Sequence, residues 1–269
     1  MTTLPETKAC KVNIENEWLT ISFNQPEKRN ALTNELTDDI KNIFDAARDD
    51  LGVRGVTMRG EGGIFCAGGD LKMFKTGFQG GEQGMKDVEE ASALTGAFFD
   101  MINSYPKPVV MLAEGAAMAG GLGMLCAGDI VVVTEDCKFA LTETTLGIPP
   151  AQIAPFVAQR IGLAKARRIM LTAARFTGKE AFEMGLVQYV SEQNGSSKIV
   201  AESVLEAICQ AGPIATKYFK EAVKSGSDMT LRDGLILETD LNVILQSTSD
   251  RAEGIASFME KRTPKFTGE

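Results

Sequence analysis

The chain has no histidine among its 269 residues. That absence excludes a Ser-His-Asp triad, a Cys-His nucleophile pair and any metal site built on imidazole. Base chemistry must come from Asp, Glu, Lys, Tyr or Cys. Cysteine is sparse and odd in number, with Cys10, Cys66, Cys126, Cys137 and Cys209 irregularly spaced and no CxxC pair. Such cysteines read as buried, reduced thiols of a cytosolic protein. Long apolar runs are missing too. Pro108–Leu112 is too short to span a bilayer and Ala116–Ala127 is too rich in glycine. The N-terminal Met1-Thr2-Thr3-Leu4-Pro5-Glu6-Thr7-Lys8 has no signal-peptide core. A cytoplasmic protein with no membrane partner is expected. Basic residues are in the minority, 28 Lys and Arg against 36 Asp and Glu for a net charge of −8, so no nucleic-acid partner is expected. A local basic cluster can still hold an anionic ligand.

What is present is a globular composition, 44% hydrophobic and 24% charged. It suits one large domain, or one domain with an appended helical piece. Lys11 to Asn24 reads as two short strands around the turn Glu15-Asn16-Glu17. Thr33 or Asn34 caps a helix to about Asp50, with Leu36, Ile40, Ile43 and Phe44 as its apolar stripe. Gly55–Arg59 is a strand. Lys75–Gly84 reads as a mobile surface loop, and Asp87–Asn103 as a helix that Pro106-Lys107-Pro108 stops. Val109–Ala113, Ile130–Val133 and Lys138–Leu141 are strands. This order predicts an α/β domain over residues 1–195. A helical section follows over 196–269, with helices at Lys198–Ala211, Ile214–Lys224, Leu231–Gln246 and Asp250–Met259. Its apolar residues, among them Leu235, Ile236, Leu241, Ile244 and Leu245, exceed what a lone surface helix needs. They predict packing on the chain's own domain or on another subunit.

Two glycine-lined turns each follow an apolar strand. The first is Cys66-Ala67-Gly68-Gly69-Asp70 and the second Ala119-Gly120-Gly121. Small residues let a ligand approach the main chain. Free N–H groups at a helix start favour developing negative charge. Two backbone donors aimed at one oxygen make an oxyanion hole. The second turn also imitates a dinucleotide fingerprint, but Cys126 stands where its last Gly or Ala belongs, and the turn lies in mid-chain.

Phe23-Asn24-Gln25-Pro26-Glu27-Lys28-Arg29-Asn30-Ala31-Leu32, Phe65–Leu71, Pro108–Asp129, Phe139–Pro149 and Glu253–Arg262 follow one another in an order that resembles the crotonase superfamily, the enoyl-CoA hydratases and isomerases. The resemblance covers nearly the whole chain. It implies an α/β, ClpP-like spiral of ββα units with a helical C-terminal trimerisation section. It implies self-association as a trimer or dimer of trimers. The implied substrate is an acyl-CoA thioester, with no metal and no redox cofactor, CoA entering as part of the substrate. By the same resemblance, the N–H groups of Gly69 and Gly120 polarise the thioester carbonyl and hold an enolate. Glu143 matches the second of two hydratase glutamates. Lys28, Arg29 and Lys72 fall near the CoA phosphates, and Lys261 or Arg262 is placed to reach the nucleotide. Main chain around Ile64, Cys66 and Ala67 meets the adenine or pantetheine. Asp70, Leu71, Gly121, Thr142 and Leu146 complete the substrate-binding set. Asp70 reads as a loop-shaping acceptor, and Cys66 as packing.

One position departs from the family pattern. The first hydratase glutamate falls at Gly123, which leaves room where a side chain is usual. Either Glu143 works alone, as in the Δ3,Δ2-enoyl-CoA isomerases, or the site is specialised. Gly123 and the run Leu146–Val157 together resemble the hydratases of branched, glutaconyl-type acyl-CoAs in leucine and acyclic-terpene degradation. Reversible hydration of a 2-enoyl-CoA is the leading expectation. Isomerisation is the alternative, a non-catalytic CoA-binding scaffold is a reading of another class, and hydrolysis or decarboxylation in the same hole stays open.

Overall fold

The computed structural model describes residues 3–69, 81–192 and 196–269, with only the backbone described at Ser196. The first hairpin joins β1 (Cys10–Glu15) to β2 (Trp18–Phe23) in the register Cys10↔Phe23 to Glu15↔Trp18. Its two-residue turn places Asn16 and Glu17 at φ 49° and 62°, the left-handed pair that matches strand twist. Strands β3 (Gly55–Gly60), β4 (Val109–Ala113), β6 (Ile130–Thr134) and β9 (Tyr189–Ser191) continue the sheet in the order β1-β2-β3-β4-β6-β9, parallel from β2 onward. Both faces of this sheet are covered, which explains the unbroken Val and Ile runs in its strands. Val109, Met111, Val131 and Val133 enter the main core with Leu36, Ile40, Ile43 and Phe44 of α1 (Asn34–Ala47). Val110, Leu112 and Val132 point the other way, against Ala201 and Val204 of α6 (Ser196–Cys209) and Trp18.

Between the strands, chain order builds repeated strand–strand–helix turns. The helices are α1, α2 (Gly81–Asn103) and α3 (Gly120–Ala127), each returning the chain to the main sheet, and α4 (Ala154–Leu171), which leads into a smaller one. The second strand of each turn is short. β5 (Ala116–Met118), β7 (Lys138–Ala140) and β8 (Arg175–Thr177) form a smaller sheet, β5-β7-β8, and single bridges add Cys66 beside Ala117 and Gly69 beside Leu32. The spiral of ββα turns is thus what the chain forms. Thr33 caps α1 by accepting the Leu36 N–H, as its sequence position predicts. Gly162, at φ 77°, kinks α4. Thr177 and Glu180 close a capping box on α5 (Gly178–Met184).

The expected loop over Lys75–Gly84 is corrected at its end. Residues 81–84 are the first turn of α2, held by a Lys86–Glu82 ion pair of 3.4 Å and a Gln83–Asp87 hydrogen bond of 2.8 Å, while 75–80 lie outside the described residues. After α6 come α7 (Pro213–Gly226), α8 (Leu231–Leu245) and α9 (Ser249–Glu260). α7 docks on the core through Lys220–Asp129, 2.7 Å, and Lys224–Asp100, 2.9 Å. Among the described residues no helix is long and apolar enough to cross a membrane.

The buried Tyr105 hydroxyl donates to the Phe44 carbonyl at 2.9 Å and so pins the chain after α2 to α1. Tyr105→Phe keeps the ring and removes this bond. It should lower unfolding free energy by about 1 kcal/mol, read as a lower denaturant midpoint at unchanged slope.

Candidate active site

The small sheet sets the site. Cys66 bridges to Ala117, and Ala117 pairs with Phe139, so the three stand side by side in one row. Bonds from Met118 N–H to Cys66 O, 2.9 Å, and from Ala119 N–H to Ala140 O, 2.8 Å, fix that row. Gly69 and Gly120 each lie three residues beyond their row position, and Glu143 lies four beyond its own. Three loops therefore leave the same end of three neighbouring strands.

The first loop is braced from below. Ala67 N–H donates to Arg29 O at 3.0 Å and Leu32 N–H to Gly68 O at 2.8 Å. The buried Asn30 amide donates to Glu61 O and Ile64 O at 2.9 and 2.7 Å, while its oxygen accepts Gln25 N–H. Gly68 sits at φ 97°, and a Cβ there would lie 2.9 Å from Met118 O. In the second loop Ala119 takes φ 48°, a strained value for a residue with a Cβ. Its carbonyl accepts from Leu122 and Gly123 as α3 begins. None of these bonds uses the N–H of Gly69 or Gly120. The first amides of a helix lack intrahelical partners, and Gly120 N–H has no backbone partner among the described residues, at the positive end of α3. The two loops touch, because a methyl group built on Gly120 would sit 3.6 Å from the Gly69 nitrogen. Such neighbouring donors suit a developing oxyanion.

Cys66 supports this pair without taking part in its chemistry. It is fully buried, its sulfur accepts Gly68 N–H at 3.4 Å, and burial pushes its thiol up to about 12. Gly121 is required by close approach, since a Cβ there would lie 2.5 Å from Cys66 O.

Glu143 opens the 3₁₀ turn Glu143–Leu146 after β7. Among the described residues it is one of three buried acids, with Asp39 and Asp250. The carboxylate of Asp39 accepts the N–H groups of Lys8 and Ala9, and that of Asp250 accepts those of Thr267 and Gly268. Those two acids are structural ties. Neither oxygen of Glu143 has a hydrogen-bond partner among the described residues. Desolvation raises its pKa above the ordinary 4.5. A buried acid left unpaired and shifted toward neutrality suits proton transfer to a bound molecule.

The expected room at Gly123 is a second correction. A Cβ at Gly123 would lie 2.9 and 3.1 Å from Ile153 Cγ1 and Cγ2 and 3.2 Å from Phe99 Cε2. The space is filled by hydrocarbon from the residue preceding α4 and from α2. Neither residue carries a sequence signal for this role. Of the remaining predicted residues, Lys28 and Arg29 are exposed on the segment braced to the first loop, Lys28 lying 4.0 Å from Glu35. Ile64, Ala67 and Thr142 are half-buried, and Leu146 is exposed. Asp70, Leu71 and Lys72 lie outside the described residues. Arg262 is bound in its own segment, to both oxygens of Glu253 at 2.6 and 2.8 Å and to Glu260 at 2.6 Å, so its fork is not free for a nucleotide.

The chain is similar to known proteins over nearly its whole length. The family model described as enoyl-CoA hydratase/isomerase matches residues 13–269. Human mitochondrial methylglutaconyl-CoA hydratase is 31% identical over 278 residues, covering 100% of this chain and 79% of that protein. The crystal structure of an enoyl-CoA hydratase/isomerase from Marinobacter aquaeolei is 32% identical with a TM-score of 0.90, covering 96% of this chain and 98% of that one. Pseudomonas aeruginosa AtuE is 33% identical with a TM-score of 0.89, at 96% and 98% coverage.

Because the Glu143 pKa is raised in the fold, ionising it costs stability. The cost is absent below the unfolded value near 4.5, grows as pH rises through the native value, and is full above it. Glu143→Gln should therefore unfold at higher denaturant than wild type at pH 8, with the gain vanishing toward pH 4. A gain independent of pH would show that buried ionisation is not its source.

Proposed function

The chain belongs to the enoyl-CoA hydratase/isomerase family, and from that premise we propose that it is a hydratase adding water reversibly to a 2-enoyl-CoA. The Glu143 carboxylate and the N–H groups of Gly69 and Gly120, at the same end of the strand row and without hydrogen-bond partners among the described residues, carry this reading. The thioester oxygen accepts from Gly69 N–H and Gly120 N–H. Water oxygen bonds to Cβ, the double-bond pair moves through Cα onto the thioester oxygen, and Glu143 takes the proton that water releases. Glu143 then returns a proton to Cα on the same face as the enolate collapses. One water and one C=C bond are consumed, and the carboxylate ends as it began. No metal or redox cofactor enters this scheme, and CoA comes with the substrate. Lys28 and Arg29 face the CoA phosphates, Lys as a point charge and Arg as a fork. The hydrocarbon at Gly123 favours an apolar, branched part of the acyl chain at that wall, and relatives named methylglutaconyl-CoA hydratase support branching, the terminal carboxylate of such a chain lying away from it. The reaction is assigned to the cytoplasm.

The same wall favours a second reading. With Ile153 and Phe99 where a second acid would stand, Glu143 alone moves a proton between Cα and Cγ, which is Δ3,Δ2-isomerisation. Absorbance of the conjugated enoyl thioester separates the two, since hydration bleaches it and isomerisation of a 3-enoyl-CoA creates it. Loss of a general acid-base typically costs about 10²–10⁴ in rate. Glu143→Gln should lose that much in kcat, with KM within a few-fold. Turnover within a few-fold of wild type would remove Glu143 from the chemistry.

The helical section is proposed to join three copies, or two such trimers. On α8, Leu231, Leu235, Ile236 and Val243 are exposed, and on α9 Phe258 and Met259 are 85% and 77% exposed. Large apolar side chains exposed in this number support an interface. Light scattering should give three or six chain masses at micromolar protein, and Leu235→Asp with Phe258→Asp should lower the mass. A monomeric wild type would refute the assembly.

A further inference from the structure

The donor Gly120 N–H begins α3, and α3 contains no polar side chain, its sequence being Gly-Gly-Leu-Gly-Met-Leu-Cys-Ala. Apolar packing buries such a helix but is non-directional. Its position along its own axis depends on the close packing at Gly121 and Gly123 and on the polar contacts at its two ends. At the start these are the Ala119 bonds already described. At the other end one guanidinium takes the Cys126 carbonyl of the last turn and the carbonyls of Gly128 and Asp129 just beyond it.

Arg160, on α4, donates from Nε to Cys126 O at 2.8 Å and from Nη2 to Gly128 O and, at 3.3 Å, to Asp129 O. Its Nη1 donates to Leu186 O at 3.4 Å and to Gln188 Oε1 at 3.2 Å. Gln188 Oε1 also accepts the Val131 N–H at 3.0 Å, which ties the group to β6. Every acceptor is a neutral oxygen and none is a carboxylate. Asp129 turns its carboxylate instead to Val109 N–H and Lys220. The cation is thus matched to the negative end of the helix dipole. α4 meets α3 at two places: Ile153, at the cap of α4, touches Gly123, and Arg160 holds the C-terminal carbonyls.

We propose that Arg160 is a positioning residue for the oxyanion hole, fixing α3 so that Gly120 N–H stays in line with Gly69 N–H. It touches no substrate and acts through the helix. The proposal rests on the reading that Gly120 N–H polarises the thioester. Its physical basis is the planar fork, because an ammonium cannot span Cys126 O, Gly128 O and Leu186 O together. A donor misplaced by about 1 Å costs on the order of a hundredfold in rate.

The test compares wild type with Arg160→Lys and Arg160→Met. Crotonyl-CoA carrying ¹³C in its thioester carbonyl is the probe. Steady-state kinetics are joined to the infrared difference spectrum of the bound carbonyl, both normalised to the folded fraction. Wild type should lower the carbonyl stretching frequency on binding. Arg160→Lys should lose about tenfold to a hundredfold in kcat, hold KM within threefold, and recover a smaller frequency shift. If Arg160→Met does not fold, Gln188→Leu, which removes one peripheral acceptor, should show the same pattern more weakly. A folded Arg160→Lys with wild-type kcat and the full carbonyl shift would overturn the role of Arg160 alone. A wild type that leaves the carbonyl frequency unchanged would overturn the hole, and this proposal with it.

Discussion

The register of one short row, Cys66 beside Ala117 beside Phe139, governs the rest of the site. Side chains and amides in a strand alternate with period two, so a slip of one residue would turn a donor away from its neighbour. The strands in the row are only three residues long, or single bridges, and cannot hold register by themselves. They inherit it from the large sheet, where β3, β4 and β6 pair over longer stretches. Aromatic contacts transmit the constraint, with Phe65 edge-on to Phe23 at 5.4 Å and Phe139 stacked on Phe176 at 5.5 Å. Core packing fixes strand position, strand position fixes the loop exits, and the exits bring Gly69, Gly120 and Glu143 to one end.

Local rules hold at many places away from that end. Caps are satisfied on α1, α5, α8 and α9 by Thr33, Thr177, Thr230 and Thr248. Buried acids elsewhere are bonded twice. At the row's end Ala119 takes a backbone angle suited to glycine, and Glu143 gives up hydration without a partner. Both features destabilise the chain alone, and both become useful when a carbonyl oxygen and a mobile proton arrive. Departures from foldability clustered in this way mark where binding energy is meant to act.

Much of the fold was legible because its signals are local. The hairpin over Asn16 and Glu17, the Thr33 cap and the strands at 55–60, 109–113 and 130–134 each announce themselves within a few residues. The four C-terminal helices fall within two residues of their expected bounds. Two stretches were less legible. The glycines before Met85 suggest a loop, yet flanking ion and amide pairs extend α2 back to Gly81. In α4 the apolar residues are out of phase across the Gly162 kink, so neither period dominates. The glycine turns were legible as turns. Their convergence came from the family resemblance and not from local pattern, because it depends on pairings such as Cys66 with Ala117, far apart in the chain. Asn30 and Arg160 do their work through backbone oxygens, which leave no pattern in a sequence.

Gly123 shows why a missing side chain is not a vacancy. A sequence records that a carboxylate is absent but not what packs into its place. Interiors are close-packed, and a cavity costs stability in proportion to its size. A glycine deep in α3 would leave such a cavity unless a neighbour grew into it, and Ile153 and Phe99 do so. Positions 99, 123 and 153 therefore form one unit, whose members couple rather than add. Restoring an acid at 123 alone would drive a carboxylate into the Ile153 methyls, where it would be desolvated and unpaired. The absence of an acid at 123 is thus held by volume as well as by chemistry. Glu143 has no second acid at position 123, where the hydrocarbon of Ile153 and Phe99 can exclude water but cannot exchange a proton.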